Sequence, residues 1–217
     1  VHGDDSGLKL PPRIAPIQVV IVPIFSDKDE ERILDFSNEI KKILEDNDLR
    51  VKLDDRDNVT PGFKFNDWEL KGVPLRIEIG QKELEGKFVT VKMRDPSLTG
   101  TEKVGMGGLA TEIKEKLESA QQLLWDRAKK FLKENTHTAS SYDEFKKIME
   151  TTRGFIWAFW CEDPQCEIKI KEETRATARL LPLDAKDGSA SSPQGEKGEC
   201  ISCKKSAKHR WLFAQAY

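Results

Sequence analysis

Four cysteines carry the clearest chemical signal in this sequence, and they fall in two pairs, Cys161-x4-Cys166 and Cys200-x2-Cys203. Tetrahedral zinc takes four ligands from two short loops that each supply two thiolates, and this spacing meets that requirement. The lysines that follow Cys203 would stabilise thiolates. Because no cysteine is left over, we predict a closed, structural zinc site; buried free thiols or a disulfide are the alternatives.

The stretch from Arg56 to Gly80 places polar residues where an apolar pattern is expected. In the strand-like run LRIEI, the apolar residues share one face, so Arg76 and Glu78 point to the other. An Arg and a Glu on rigid elements beside aromatic rings, such as Arg76 and Glu69, could bind the edges of unstacked nucleic-acid bases. A solvated strand face with a surface ion pair explains the same residues, and spacing alone favours that explanation.

Three weaker patterns have simpler explanations. Gly105–Gly108 before a helix resembles a phosphate cradle, but a flexible helix lead-in accounts for it equally well. The run from His2 to Asp5 could bind Mg²⁺ or move protons, but its residues also favour a turn. His137 and His209 are expected at the surface. The sequence shows no Ser-His-Asp, HExxH or GxSxG arrangement, so it offers no self-contained active site.

The composition fits one large domain or two small ones. The chain has 217 residues, of which 34% are charged and 37% apolar, and no apolar run approaches the roughly 18 residues of a membrane helix. No signal peptide is visible and the first residue is Val, so we expect a cytoplasmic protein and a piece of a longer chain. A net charge of -2 gives no hint of nucleic-acid binding through bulk charge.

The elements that must position these residues follow a β-α-β-α-β order. We expect strands at 17–25, 51–53, 74–79 and 88–93, and helices after Ser26, at 61–71 and after Gly108. This order predicts an α/β fold with a parallel or mixed sheet in three layers. Behind a linker at 136–141 we expect a small α+β unit with helices at 142–149 and 164–173 and strands at 155–160 and 210–216. The stretch 184–199, rich in Gly, Ser, Lys and Glu, is expected to be a surface loop, to which we assign no role.

Several long matches identify a family. The segments VHGDDSGLKLPPRIAPIQVVIVPI and RDNVTPGFKFNDWELKGVPLRIEIG, the two cysteine pairs and the terminal LFAQAY together resemble prolyl-tRNA synthetase of the archaeal/eukaryotic type. The resemblance covers essentially the whole chain, which corresponds to only the C-terminal part of the proteins in this family. It implies an exit segment of the catalytic domain at 1–16, an anticodon-binding domain at 17–135 and a zinc-binding domain at 136–217.

The resemblance also implies site residues. The anticodon's two guanines are bound around the WELKGVPLR block, which assigns anticodon binding to Phe65, Glu69, Arg76, Lys82 and Glu83. In this chain Glu83 stands where the family more often has Asp, and Gln81 replaces a Pro, so the Lys82–Glu83 turn departs from the family pattern. The carboxylate of Tyr217 would reach toward the catalytic domain. No catalytic residue is expected within this chain.

The family's activity implies the partners and cofactors. A class II synthetase uses ATP and Mg²⁺ to activate proline and transfers it to tRNA-Pro; zinc would be structural, and the parent enzyme a homodimer without a membrane anchor. Two alternatives remain: a free-standing RNA-binding or regulatory module with the same fold, and a related synthetase for Thr, Gly or His. The second alternative does not explain the paired-cysteine tail.

Overall fold

The computed structural model describes residues 3–26, 28–98, 100–181 and 198–215. The chain divides into two compact units, Val1–Asp126 and Arg127–Tyr217. The division falls inside one long helix, and the domain limits given above (1–16, 17–135 and 136–217) remain predictions.

The first unit is built on a mixed sheet whose strands lie in the order β4-β3-β5-β6-β7. β3 runs parallel to β4 and β5, whereas β6 runs antiparallel to both β5 and β7. This confirms the predicted α/β class and mixed sheet. The elements are β1 (Gly3–Asp4), β2 (Gly7–Leu8), β3 (Val19–Pro23), α1 (Glu30–Glu45), β4 (Val51–Leu53), α2 (Pro61–Leu70), β5 (Leu75–Ile79), α3 (Gln81–Gly86), β6 (Phe88–Met93), β7 (Glu102–Gly105) and α4 (Leu109–Glu134).

The two faces of this sheet are covered by different helices. On one face, strand residues such as Ile21 and Ile77 pack in a single core with Ile33 of α1 and Ile113 of α4. On the other face, Val20 and Val22 are buried with Val73, and the aromatic rings of α2 pack against them. Burial on both faces explains the continuous apolar run of β3, and the helices on both sides confirm the three layers.

The second unit has its own sheet, in the order β10-β13-β9-β8. β13 is antiparallel to β9 and β10, and α5 and α6 contribute Phe145 and Ile170 to a core that also buries Ile156 and Phe213. This is the predicted α+β arrangement. The elements are β8 (Thr136–Thr138), α5 (Tyr142–Glu150), β9 (Phe155–Trp160), α6 (Pro164–Thr174), β10 (Ala176–Leu180), β11 (Gly198–Glu199), β12 (Ser206–Ala207) and β13 (His209–Gln215).

The linker and the Lys82–Glu83 turn were predicted wrongly, and several short strands were not anticipated. The predicted linker at 136–141 begins with strand β8, which pairs in parallel with β9 although its sequence is Thr-His-Thr. Residues 3–8, where the run from His2 to Asp5 favoured a turn, form the short hairpin of β1 and β2. The Lys82–Glu83 turn is the helix α3, and β7 and β10 were not anticipated. Of the stretch 184–199, residues 184–197 lie outside the described residues, and Gly198–Glu199 form β11.

Candidate nucleic-acid interface and metal centre

The polar residues singled out in the sequence meet at one cavity of the first unit. Glu69, near the end of α2, and Arg76, on β5, both line a cavity of about 380 Å³ between the helix and the sheet. Its walls also include residues from β1, the turn after it, β6 and the segment that follows β6. The further lining residues are Asp4, Ser6, Val20, Trp68, Val73, Lys92, Met93, Arg94, Pro96 and Gly100.

Local sequence fixes the helix that carries Glu69. The side chain of Thr60 accepts a hydrogen bond from the backbone N–H of Phe63 at 3.3 Å, and Pro61 occupies the first turn, so α2 has a defined start. Its end is set by Gly72, whose φ of 75° suits a glycine. Glu69 therefore lies in the last turn of a short helix with fixed ends.

Arg76 is held on the polar side of an alternating strand. Leu75 and Ile77 are fully buried in the core, and the Arg76 side chain, which is 11% exposed, lies on the opposite face. Its guanidinium carbon is 3.9 Å from the ring centroid of Phe65, and its Nη2 donates to Glu78 Oε1 at 2.7 Å. No described residue accepts a hydrogen bond from Nη1. The Arg76–Glu78 ion pair expected of a solvated strand face is therefore present. Even so, Nη1 of Arg76 stays available to a ligand.

Glu69 has a looser environment. Its side chain is 34% exposed, and the cation closest to it in the described chain is Arg94, whose Nη1 lies 3.9 Å from Oε1. No described residue donates a hydrogen bond to this carboxylate. Lys92 pairs with Arg76 across the β5–β6 ladder, so two cations lie side by side on the same face of the sheet. The cavity therefore presents a free carboxylate beside positive charge.

Lys82 and Glu83 lie on α3 and do not line this cavity. Lys82 is exposed. Glu83 accepts hydrogen bonds from the backbone N–H of Gly80 at 3.0 Å and from the hydroxyl of Thr90 at 2.8 Å, so it caps its own helix and ties it to β6. The structure thus brings Phe65, Glu69 and Arg76 together and leaves Lys82 and Glu83 apart from them.

Sequence reasoning missed a buried charge network beneath α2. Asp54, only 2% exposed, accepts hydrogen bonds from Arg56 at 2.7 and 2.8 Å and from the indole N–H of Trp68 at 2.7 Å. Burial alone would raise the pKa of Asp54, but the hydrogen bonds from Arg56 and Trp68 outweigh it and lower that pKa to about 2. The Asp-Asp-Arg run after β4 was a visible signal, since a strand end followed by paired opposite charges often anchors the next element.

The four cysteines converge in the second unit. Their Sγ atoms all lie within 4.8 Å of one another, and Cys161 Sγ is 3.6 Å from the Sγ atoms of both Cys166 and Cys203. Ligands about 2.3 Å from a tetrahedral zinc ion would be about 3.8 Å apart, which matches these distances. The thiols are free rather than bridged. This group of four could hold a metal ion.

The elements of the second unit place each thiol. Cys161 directly follows β9 and Cys166 lies in the first turn of α6, whose start Asp163 caps through the N–H of Gln165. Cys200 and Cys203 flank the turn between β11 and β12. Burial would raise the pKa of the Cys203 thiol, but hydrogen bonds from the backbone of Lys205 and from its neighbouring thiols lower it to about 7. A thiol with a lowered pKa loses its proton readily when a metal ion binds the thiolate.

The weaker candidates of the sequence do not form sites in the described part of the chain. His2 and Tyr217 lie outside the described residues. Asp4 is engaged by Arg94 and Lys9, His137 lies in β8, and His209 in β13 is not part of the cysteine group. Gly105 ends β7, and Gly107 and Gly108 directly precede α4, as a helix lead-in would.

The sequence is similar to family models and to proteins of known name. Residues 18–116 match the family model described as "Anticodon binding domain", and residues 142–217 match "Prolyl-tRNA synthetase, C-terminal". Three proteins named proline--tRNA ligase are similar to the whole chain: those of Natranaerobius thermophilus (44% identical over 221 residues), Roseiflexus sp. (42% over 217) and Clostridium novyi (43% over 219). The chain belongs to the prolyl-tRNA synthetase family.

This membership confirms the resemblance at the level of the family. The chain spans only 42–43% of the length of those three relatives. Phe65, Glu69, Arg76, Lys82 and Glu83 all fall within the anticodon-binding match, and the four cysteines fall within the C-terminal match. No helix in the described residues is both long and apolar enough to cross a membrane.

Proposed function

We propose that this chain binds the anticodon of tRNA-Pro and serves as the C-terminal part of an enzyme that attaches proline to tRNA. The observation that carries the proposal is the shared cavity of Glu69 and Arg76, inside the segment that matches an anticodon-binding domain. The names of the relatives support the choice of proline and of its tRNA. The free-standing RNA-binding module has no observation of its own in its favour.

The chemistry of the cavity suits guanine. An arginine offers two parallel N–H donors to guanine O6 and N7, and a carboxylate can accept hydrogen bonds from guanine N1–H and the 2-amino group. Glu78 accepts from Nε and from one N–H of Nη2, so Nη1 and the second N–H of Nη2 remain for the first role of Arg76. The carboxylate of Glu69 accepts no hydrogen bond from the described residues and serves the second role. The ring of Phe65 lies against the Arg76 guanidinium, 3.9 Å from its central carbon to the ring centroid, and stabilises it by a cation–π contact.

Lys82 and Glu83 have supporting roles in this proposal. The exposed ammonium of Lys82 can contact a phosphate of the anticodon loop. Each oxygen of Glu83 already accepts one hydrogen bond and retains a second lone pair, so Glu83 can still accept one from RNA.

We propose zinc as the metal of the cysteine group. Four thiolates fill a tetrahedral site, so zinc here would supply folding free energy and no open coordination position. The catalytic step belongs to a class II domain outside this chain, which would bind ATP and Mg²⁺ in the cytoplasm and form the homodimer. The C-terminal carboxylate of Tyr217 would reach toward that domain, and the domain limits 1–16, 17–135 and 136–217 belong to the same proposal.

The test of the anticodon site is the affinity of the chain for a tRNA-Pro anticodon stem-loop. We expect Arg76→Ala and Glu69→Gln each to cost about 1–3 kcal/mol, roughly 5- to 150-fold in Kd. Arg32→Ala and Glu39→Gln, at exposed positions of α1, are the matched controls. If both site variants bind the UGG anticodon as the wild type does, and if replacing either guanine also changes nothing, the proposal is wrong.

A further inference from the structure

The N-terminal hairpin packs directly on the end of the helix that carries Glu69. Gly7 and Gly72 both have positive φ, 123° and 75°, and a Cβ on either would collide with the opposite segment. A Cβ on Gly7 would lie 2.5 Å from Leu70 Cα, and one on Gly72 would lie 2.6 Å from Leu8 Cβ. The two backbones therefore touch, and the N–H of Leu10 donates to the Gly72 carbonyl at 3.2 Å.

Arg94 joins the same two segments to the sheet. It is 5% exposed and donates to both carboxylate oxygens of Asp4, at 2.5 and 3.2 Å. It also donates to the carbonyl of Gly7 at 3.2 Å and, through Nε, to the carbonyl of Glu69 at 3.1 Å. One buried guanidinium thus binds the hairpin and the last turn of α2 at once. Lys9 adds a second cation to Asp4 at 2.9 Å.

Asp4 also decides what Arg94 does to the Glu69 carboxylate. Arg94 Nη1 donates to Asp4, and the same nitrogen lies 3.9 Å from Glu69 Oε1, too far for a hydrogen bond. Without the Asp4 charge, the buried guanidinium would need another anion, and Glu69 is the one within reach. A direct Arg94–Glu69 pair would occupy the carboxylate that guanine is proposed to use.

We propose that Asp4 and Arg94 are positioning residues of the anticodon site, which hold α2 in place and keep the Glu69 carboxylate free for guanine. This rests on the proposed function of Glu69. The hairpin is then part of the RNA site, although it precedes the segment that matches the anticodon-binding model. Asp4 and Ser6 line the cavity, which places the hairpin within reach of bound RNA.

The main experiment compares Asp4→Asn with Asp5→Asn in the 217-residue chain. Both variants remove one exposed carboxylate from the same hairpin, but of the two only Asp4 binds Arg94. The probes are the UGG stem-loop and stem-loops with inosine in place of each guanine, because inosine lacks the 2-amino group. For the guanine that Glu69 contacts, we expect Asp4→Asn to reduce the preference over inosine about 5- to 10-fold. We expect Asp5→Asn to leave it unchanged within about twofold.

A double-mutant cycle separates positioning from general destabilisation. In a Glu69→Gln background, Asp4→Asn should no longer alter the preference for guanine over inosine, since its effect acts through Glu69. An equal effect in both backgrounds would overturn the positioning role.

Amide hydrogen exchange tests the hairpin contact without RNA. The amides of Gly72 and Val73 donate to the carbonyls of Glu69 and Trp68, and we expect Asp4→Asn to speed their exchange relative to Asp5→Asn. Amides of β9 in the second unit should not change. Exchange and guanine preference that both match Asp5→Asn would overturn the proposal. If the wild type itself does not prefer guanine, the proposed function fails, and exchange alone decides whether Asp4 and Arg94 hold α2.

Discussion

The two candidate sites of this chain reach fixed geometry in different ways. The cavity around Glu69 and Arg76 is assembled from several separate elements, and its charges are held by other protein groups such as Phe65, Glu78 and Arg94. The cysteine group draws on two short segments of the second unit, and its four thiols lie close together with no carboxylate or imidazole of the described residues in the group. We expect the first site to be weakened only in part when one contact is lost, whereas the second depends on its ion.

The largest effect should therefore follow from breaking the cysteine group. Cys200 is fully buried, and Cys200→Ser should remove the metal and destabilise the second unit by on the order of 5 kcal/mol or more. Elemental analysis should find about one zinc ion per wild-type chain and almost none in the variant. Thermal unfolding can be followed by the fluorescence of Trp157, Trp160 and Trp211.

Ser202→Ala is the control for this prediction, because it changes the same turn without removing a ligand. It should keep the metal. A wild-type chain without metal, or with a Cys161–Cys166 disulfide, would contradict the zinc assignment.

An intermediate effect is expected from acid, acting on the network beneath α2. The folded pKa of Asp54, about 2, lies below the ordinary 3.8 of an aspartate carboxyl, so the contribution of this charge to stability is present above pH 4 and is lost as the pH falls through 2. The difference corresponds to about 2 kcal/mol in the free energy of unfolding. Urea unfolding between pH 5 and pH 2 should show that the free energy of unfolding of the wild type exceeds that of Asp54→Asn at pH 5 and loses this excess as the pH falls to 2.

Asp55→Asn is the matched control for the acid experiment, since Asp55 is exposed and adjacent. Its stability difference from wild type should stay constant over the same pH range. A constant difference for Asp54→Asn as well would show that the hydrogen bonds from Arg56 and Trp68 do not stabilise the charged carboxylate.

The smallest effect should come from the ring that supports Arg76. Phe65→Leu keeps an apolar side chain but removes the aromatic face 3.9 Å from the guanidinium. We expect it to weaken stem-loop binding by about 1 kcal/mol, roughly fivefold in Kd, at little cost in stability. Phe63→Leu, on an exposed ring of the same helix, should change Kd less than twofold; equal effects of the two variants would argue against a specific role for Phe65.

The sequence predicted what depends on local pattern. The alternation of β5 placed Arg76 on the polar face, and cysteine spacing alone identified the four residues that converge. The role of Arg94 was not predicted because it depends on the hairpin and the last turn of α2 both lying next to the end of β6. No local sequence pattern indicates that these distant segments are in contact. β8 was missed for a related reason: a Thr-His-Thr edge strand gains its hydrogen bonds from β9 and has no apolar face of its own. The N-cap of α3 is Gly80, whose backbone N–H donates to Glu83, but glycine lacks the side chain by which a helix start is usually recognised.

Gly7 of the hairpin and Gly72 just after α2 bring two backbone segments into contact, so a transfer of this domain to another protein must include the hairpin. The match to the anticodon-binding family model starts at residue 18, yet Gly7, whose backbone contacts Leu70 of α2, lies before that limit. A chimaera joined at residue 18 would keep the recognisable domain and lose one wall of its cavity. The unit that forms the proposed anticodon cavity is therefore longer than the matched domain model, and a graft intended to keep that cavity should begin no later than Gly3.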